Sequence, residues 1–472
     1  MRALGLVLAV AFVSACGSSS TGGGATGEMA SSGSSMGGAG GDGSAAHAGS
    51  SESTGAATGG CGPSGSASAG QGGAGGAATS SSTTSMATGG GGAASSSTGG
   101  GDGCPDGETR CSGQCVDLNA DDQNCGACGV TCDKTFHFDP TSAGETDKGV
   151  ARWAFDVKDQ GQDAASIAAS LSRAGGAGNF DAVRVAWFPQ HALQQGGTAL
   201  GAAAKASIDE EVQLANVVGA SKGVFLSPKT GTIDPYYVAS SGKIDVTRWV
   251  AAMELSRDDY IQHHGKIVAY NGPTNEPDNT NGKFDAQIFV QIRGAMHGWG
   301  VTNNVGPCTF QSEDGASWLP TIAGTISHAT THAIGDTTLA GYKHFFHAAE
   351  QVNLTAWNSE LHSLAEALVG ADRGMARAIW WGNITKERGD FVQHSRSARV
   401  FYGEFGSFGA VAGYRDAAPN GLLIFIGNKD DQHGYALRFR SSTAVSFDGS
   451  APRTSDTESV PPGGEKVVHV TW

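Results

Sequence analysis

Two glutamates in this sequence stand where acid–base and nucleophilic chemistry could be done. Glu276 lies in "AYNGPTNEPDNTNG" (269–282), between an Asn and a Pro, just after the apolar run "KIVAYN" (266–271). Glu360 lies in "TAWNSELHS", at the end of a second such run, "NLTAWNS" (353–359). Two carboxyl groups facing each other across a cleft are what hydrolysis of a glycosidic bond needs. One protonates the leaving oxygen, and the other attacks or activates water. Alone, "NEP" describes a charged turn as well as it describes a catalytic acid. The surrounding elements decide which.

From residue 150 short apolar runs alternate with helix-length segments. The runs are "ARWAFDV" (151–157), "DAVRVAWF" (181–188), "KGVFLS" (222–227), "KIVAYN", "NNVGPCTF" (303–310), a weaker "SHATTHAI" (327–334), "NLTAWNS" and "MARAIWW" (375–381). Between them lie helical stretches such as "QDAASIAASLSRA" and "VTRWVAAMELSRDDYIQHH". Strand–helix alternation implies parallel pairing, and eight such units close into a (β/α)8 barrel over residues 150–400. Past residue 400 the texture changes to "GLLIFIGN", "YALRFR", "TAVSFDG" and "KVVHVTW", which predicts a small antiparallel β-sandwich domain, 401–472. Barrel active sites sit at the C-terminal ends of the strands. Glu276, after the fourth strand, and Glu360, ending the seventh, would share that rim.

With "NEP" after strand four and a Glu ending strand seven, the segment 150–400 resembles the retaining glycosidases of clan A. The β-domain that follows, with "RVFYGEFGSFGAVAGYR" (399–415), is most similar to family 30. The resemblance implies that Glu276 is the acid/base, Glu360 the nucleophile and Asn275 a partner of the sugar 2-hydroxyl. It also implies that Arg184, in "VRVAW", holds Glu360 ionised, and that Trp380 or Trp381 forms the platform under a sugar ring. The sixth strand lacks the aromatic residues usual in that family; His332 is the expected contact there to nucleophile or sugar. Neither a cofactor nor a metal is implied. Glu366 and Asp372, in the helix after strand seven, read as surface charges.

The rest of the chain bears on address rather than chemistry. Of 472 residues 73 are Gly, and the excess is concentrated before residue 104, where 31 of the first 103 residues are Gly. Residues 1–15 combine Arg2 with the apolar "LGLVLAVAFV" and read as a signal peptide, too short to span a bilayer. "VSAC" resembles the lipobox of bacterial lipoproteins, which implies lipidation of Cys16, export and an outer-membrane or cell-surface location. Residues 16–103 hold almost only Gly, Ser, Ala and Thr and read as a flexible tether. Residues 104–132 carry Cys104, Cys111, Cys115, Cys125, Cys128 and Cys132 and resemble the Cys-rich "NCGACG" modules of myxobacterial surface proteins. An even count in an exported chain predicts three disulfides, against a zinc knuckle for which no His is at hand. Cys61 and Cys308 have no assigned role. The net charge is −15 with no basic run, which sets nucleic-acid binding aside. The expected protein is thus a monomeric, lipid-anchored, endo-acting enzyme on an extracellular β-linked polysaccharide. The alternative is a non-catalytic glycan-binding or adhesive surface lipoprotein.

Overall fold

Strands buried on both faces read as unbroken apolar runs, and all eight expected ones form. The structure, a computed structural model, describes residues 104–472 apart from 106, 159–161 and 230. The barrel strands are Arg152–Asp156, Phe180–Trp187, Gly223–Pro228, Val268–Asn271, Val305–Thr309, His328–Thr331, Thr355–Leu361 and Arg377–Trp380. Each is followed by a helix, the first being Ala164–Arg173 and the seventh Leu364–Asp372. Every strand pair is parallel, in the order 4-3-2-1-8-7-6-5. A parallel bridge between Asn271 and Asn304 joins the two ends of that order, so the sheet closes.

Two packed regions hold the barrel in shape. Inside it, Ala154, Ala182, Phe225, Val305, Cys308, Trp357 and Ile379 form one buried cluster. Near its N-terminal end Arg377 lies against the edge-to-face pair Tyr270 and Trp357, 4.7 Å from each ring centroid, and pairs with Asp181. Outside, the strands pack on the helices. Trp380 belongs to this outer layer, stacked on Trp153 at 5.7 Å with Arg388 over it. Successive strand residues point to opposite faces, which takes Trp380 away from the rim cleft and out of the substrate role expected for it.

Six antiparallel strands beyond residue 398 form the β-domain, and a seventh comes from before the barrel. Lys134–Phe138 pairs in parallel with the long strand Tyr435–Phe447, a strand that the sequence reading did not contain. Tyr435–Phe447 shifts register between Arg440 and Val445 and pairs beyond that point with Glu465–Thr471, so it passes from one layer to the other. Phe136 enters the core between the layers, stacked on Phe439 at 5.7 Å and edge-on to Phe405 at 6.4 Å. The six cysteines pair as Cys104–Cys115, Cys111–Cys128 and Cys125–Cys132. The module they staple is seated on the β-domain, where Asp122 and the Asp121 carbonyl meet the buried Arg438.

Helix Leu364–Asp372 lies between barrel and β-domain and is buried almost all round. The approach is so close that a Cβ on Gly427 would fall 2.2 Å from the Ala365 nitrogen. Burial here corrects the reading of Glu366 as a surface charge: it is 0% exposed, and its carboxylate caps the helix by accepting from the backbone of His362 at 2.7 Å. Asp372 is likewise engaged, by Arg399 at 2.8 Å.

Because Phe136 fills the β-domain core, Phe136→Ala is expected to destabilise that domain by about 3–5 kcal/mol. Urea unfolding followed by tryptophan fluorescence measures it. A loss below about 1 kcal/mol would mean that the strand is dispensable.

Candidate active site

The C-terminal rim collects the residues singled out above. Glu276 sits in the loop after the fourth strand with φ 47 and ψ 51, a left-handed conformation that non-glycine residues seldom adopt. Three contacts pin the loop to the end of the fifth strand. The Glu276 N–H donates to the Cys308 carbonyl at 2.8 Å, the Thr274 hydroxyl donates to the Pro307 carbonyl at 2.7 Å, and Asp278 accepts from the Phe310 N–H at 2.8 Å. Cys308 and Ala333, at the ends of strands five and six, are also left-handed, with φ 58 and 59. Each such turn costs on the order of 1–3 kcal/mol, and three on one rim mark a site whose backbone is bent to aim side chains.

His332 links the two carboxylates. Its N–H donates to the Thr309 carbonyl at 2.8 Å, which fixes it just past the sixth strand. Its Nδ1 then lies 3.3 Å from Glu276 Oε1 and 3.4 Å from Glu360 Oε2. These three donor atoms all fall within 4.8 Å of one another, and the three residues are buried. Glu360 Oε2 also takes the Arg184 guanidinium at 2.6 Å, while Oε1 lies 3.5 Å from His362 Nε2.

Arg184 organises the floor beneath. It donates to Asp156 at 3.1 Å, to the Ser359 carbonyl at 2.9 Å, to Ser227 at 3.3 Å and to Asn275 Oδ1. Burial opposes its charge, but Asp156 and Glu360 outweigh that and raise its pKa. Lys158, past the first strand, reaches the same Asn275 oxygen at 3.0 Å; burial foremost, with Arg184 next, lowers its pKa. Burial raises the Asp156 carboxyl to about 6. Burial would raise Glu360 too, yet His332 and Arg184 hold it well below the usual carboxylate range. For His332 burial favours the neutral ring, but Glu360 and the contacts to Cys308 and Glu276 lift it to about 9. The nucleophile candidate is therefore ionised and the imidazole cationic at neutral pH.

A cavity of about 310 Å³ opens beside this cluster, lined among others by Asn275, Glu276, Trp249, Phe284 and Lys229. On the opposite flank Trp381 is 42% exposed and stacks on His362 at 4.8 Å. The rim thus brings together Arg184, Asn275, Glu276, His332 and Glu360, with Trp381 at the edge and Trp380 excluded. Cys16 and Cys61 lie outside the described residues. Cys308, without a role in the sequence, is buried beside His332 and accepts from the Thr330 hydroxyl at 3.0 Å. Asp156, Lys158 and His362 went unread. His362 stands two residues past Glu360, a same-face spacing that offered a signal; Asp156 and Lys158 looked like ordinary strand-end charges.

The donor set Glu276, His332 and Glu360 has the composition of a divalent-cation site. Its charges are already matched, however, by Arg184 on Glu360, by Lys158 close by and by the imidazolium itself. A cation there would have to displace a proton and sit against a guanidinium, so the set is better suited to holding protons than metal.

No family model matches the chain, and no curated protein matches it. Among solved structures it is similar to a family 39 glycoside hydrolase from Bacteroides cellulosilyticus WH2, at 9% identity and a TM-score of 0.42, over 69% of this chain and 81% of that one. It is also similar to an alpha-L-arabinofuranosidase from Thermotoga maritima, at 11% identity and a TM-score of 0.37, over 71% and 99%. A third is a family 44 xyloglucanase from Paenibacillus polymyxa, at 10% identity and a TM-score of 0.36, over 72% and 99%. Likeness at this level says nothing of chemistry, which is read from the side chains.

The shifts set a pH window for stability. Glu360, lowered from 4.5, contributes fully above that value, and its contribution is lost as pH falls. His332, raised from 6.5 to about 9, contributes fully below 6.5, and its contribution is lost as pH rises through 9. Stability is expected to be highest between those limits and to fall by on the order of 3 kcal/mol on the alkaline side. Denaturant unfolding at pH 6 and pH 9.5 checks this. His332→Asn should flatten the alkaline slope; an unchanged slope would assign it to another group.

Proposed function

We propose that this chain is a retaining glycoside hydrolase acting on an extracellular β-linked polysaccharide. The observation that carries the reading is the convergence of Glu276, His332 and Glu360 within 4.8 Å at the barrel rim. Retention calls for carboxyl groups about 5–5.5 Å apart, whereas inversion needs room for a water and about 6.5–9.5 Å. The close pair supports retention.

The roles follow from the neighbours. Glu360, kept ionised by Arg184 and His332, attacks the anomeric carbon. Glu276 gives its proton to the glycosidic oxygen as that C–O bond breaks, leaving a glycosyl ester on Glu360. Water then attacks the anomeric carbon of that ester, Glu276 takes the water's proton, and Glu360 leaves as carboxylate. Glu276 Oε1 and His332 Nδ1 are 3.3 Å apart, so the imidazolium can donate to the carboxylate that Glu276 becomes once its proton has left. Asn275 lines the cavity with its Oδ1 fixed by Arg184 and Lys158, which orients its amide toward a sugar hydroxyl. Trp381 supplies the exposed aromatic face on which a sugar ring stacks. Endo action, lipidation of Cys16 and tethering at the cell surface belong to the same proposal, since a polymer too large to import has to be cut outside.

Glu276→Gln and Glu360→Gln are each expected to lower kcat/KM on a responsive polysaccharide by on the order of a thousandfold or more, with glycan binding kept. Proton NMR of the first-formed product should show the substrate's anomeric configuration. A wild-type protein that binds a glycan and cleaves none across a broad panel would instead be a binding lipoprotein, and an inverted product would refute the nucleophile assignment.

A further inference from the structure

Both histidines that touch the nucleophile stand at loop starts rather than within strands, so something must hold those loops. His332 follows the sixth strand, and Ala333 after it is left-handed with φ 59. His362 follows the seventh, and its N–H donates to Glu366 at 2.7 Å. One side chain reaches both loops, and it comes from the β-domain. The Lys429 ammonium donates to the Ala333 carbonyl and forms an ion pair with Glu366 Oε1 at 2.8 Å. Lys429 itself is fixed at its root. Its N–H donates to the Phe408 carbonyl at 2.9 Å, and its ammonium lies 4.7 Å from the Phe408 ring centroid. It follows the strand Gly421–Asn428, which packs on the helix that Glu366 caps.

We propose that Lys429 is a positioning residue for the catalytic pair: a clamp from the β-domain that sets the loops after barrel strands six and seven, and through them His332 and His362, against Glu360. This rests on the reading of Glu360 as nucleophile, and it gives the β-domain a part in catalysis rather than in stability alone. The geometry is specific. Glu366 is wholly buried, and its two oxygens divide the work, Oε2 capping the His362 and Ser363 N–H groups at 2.7 and 3.3 Å and Oε1 meeting Lys429. The Ala333 carbonyl belongs to a strained turn, and strained turns persist only where neighbours over-determine them. Without the ammonium, Glu366 is left as a buried unpaired charge, and the Ala333 turn can relax and carry His332 away from the carboxylates. Displacements near 1 Å at reacting groups can cost about a hundredfold in rate.

Three variants test this: Lys429→Met, Lys429→Arg and the double variant Lys429→Met/Glu366→Gln, which removes the unpaired charge and so protects folding. The first readout is the His332 imidazole titration by nitrogen-15 NMR, which needs no substrate. The charged or titratable groups facing that ring are Glu276, Glu360, Cys308 and Arg184. With the clamp in place the midpoint is expected well above the ordinary histidine value, at about 9, because burial is outweighed by Glu360 and the contacts to Cys308 and Glu276, which favour the charged ring. It should move toward the ordinary histidine value, by about one unit or more, in Lys429→Met and in the double variant, and stay put in Lys429→Arg. The second readout is kcat on a polysaccharide that wild type cleaves, expected to fall ten- to a hundredfold with little change in KM. A folded Lys429→Met protein, or a folded double variant, with wild-type titration and kcat would overturn the proposal even if its melting temperature were lower. Should wild type cleave nothing, the glycosidase reading fails, and the titration still decides whether Lys429 sets His332.

Discussion

Arg184 carries a permanent charge with none of its side chain open to water, and the rim is built to satisfy it. A buried guanidinium is tolerated only where carboxylates and carbonyls replace its hydration on most of its donors. Here Asp156, Glu360, Asn275, Ser227 and the Ser359 carbonyl do so, drawing together barrel strands one, two, three and seven and the loop after strand four. The same contacts that solvate the charge orient a candidate nucleophile and a candidate substrate-binding amide. The bonds that stabilise the buried charge and the bonds that arrange the candidate site are therefore one set.

The remaining rim residues are aimed by backbone strain. Glu276, Cys308 and Ala333 each take a left-handed turn at the end of a neighbouring strand, and each is held by bonds from the next loop or, for Ala333, from the β-domain. This puts a buried imidazole between two carboxylates. Asp156 at about 6 and His332 at about 9 show how far burial and like or unlike neighbours pull ordinary groups apart. Such divergence is what an acid–base site requires.

Much of the architecture was legible because doubly buried parallel strands leave a signal that does not depend on partners. The sixth strand read weakly for a physical reason. Its rim end offers Thr330 and His332 to Cys308, Ser359 and the carboxylates, and those polar residues dilute the apolar run. Lys134–Phe138 was missed because it is five residues long and its partner strand lies about 300 residues later. Of the site, Glu276, Glu360, Arg184, Asn275 and His332 were legible through strand-end position and motif. Asp156, Lys158 and Lys429 were not, since a charge at or just past a strand end looks the same whether it is solvated or drawn into a buried network. Glu366 shows the converse, a helical carboxylate buried by a domain that its own helix pattern cannot reveal.

The central claim is that Glu360 forms a covalent bond to sugar while Glu276 serves the leaving group. The most direct measurement is intact-protein and peptide mass spectrometry after incubation with a set of activated 2-deoxy-2-fluoro glycosides, whose glycosyl-enzyme esters turn over slowly. The account predicts the mass of one fluoroglycosyl unit added, mapped to the peptide containing Glu360, and no addition in Glu360→Gln. A label mapped to Glu276 or elsewhere, or hydrolysis of the polysaccharide with inversion and no label, would contradict it.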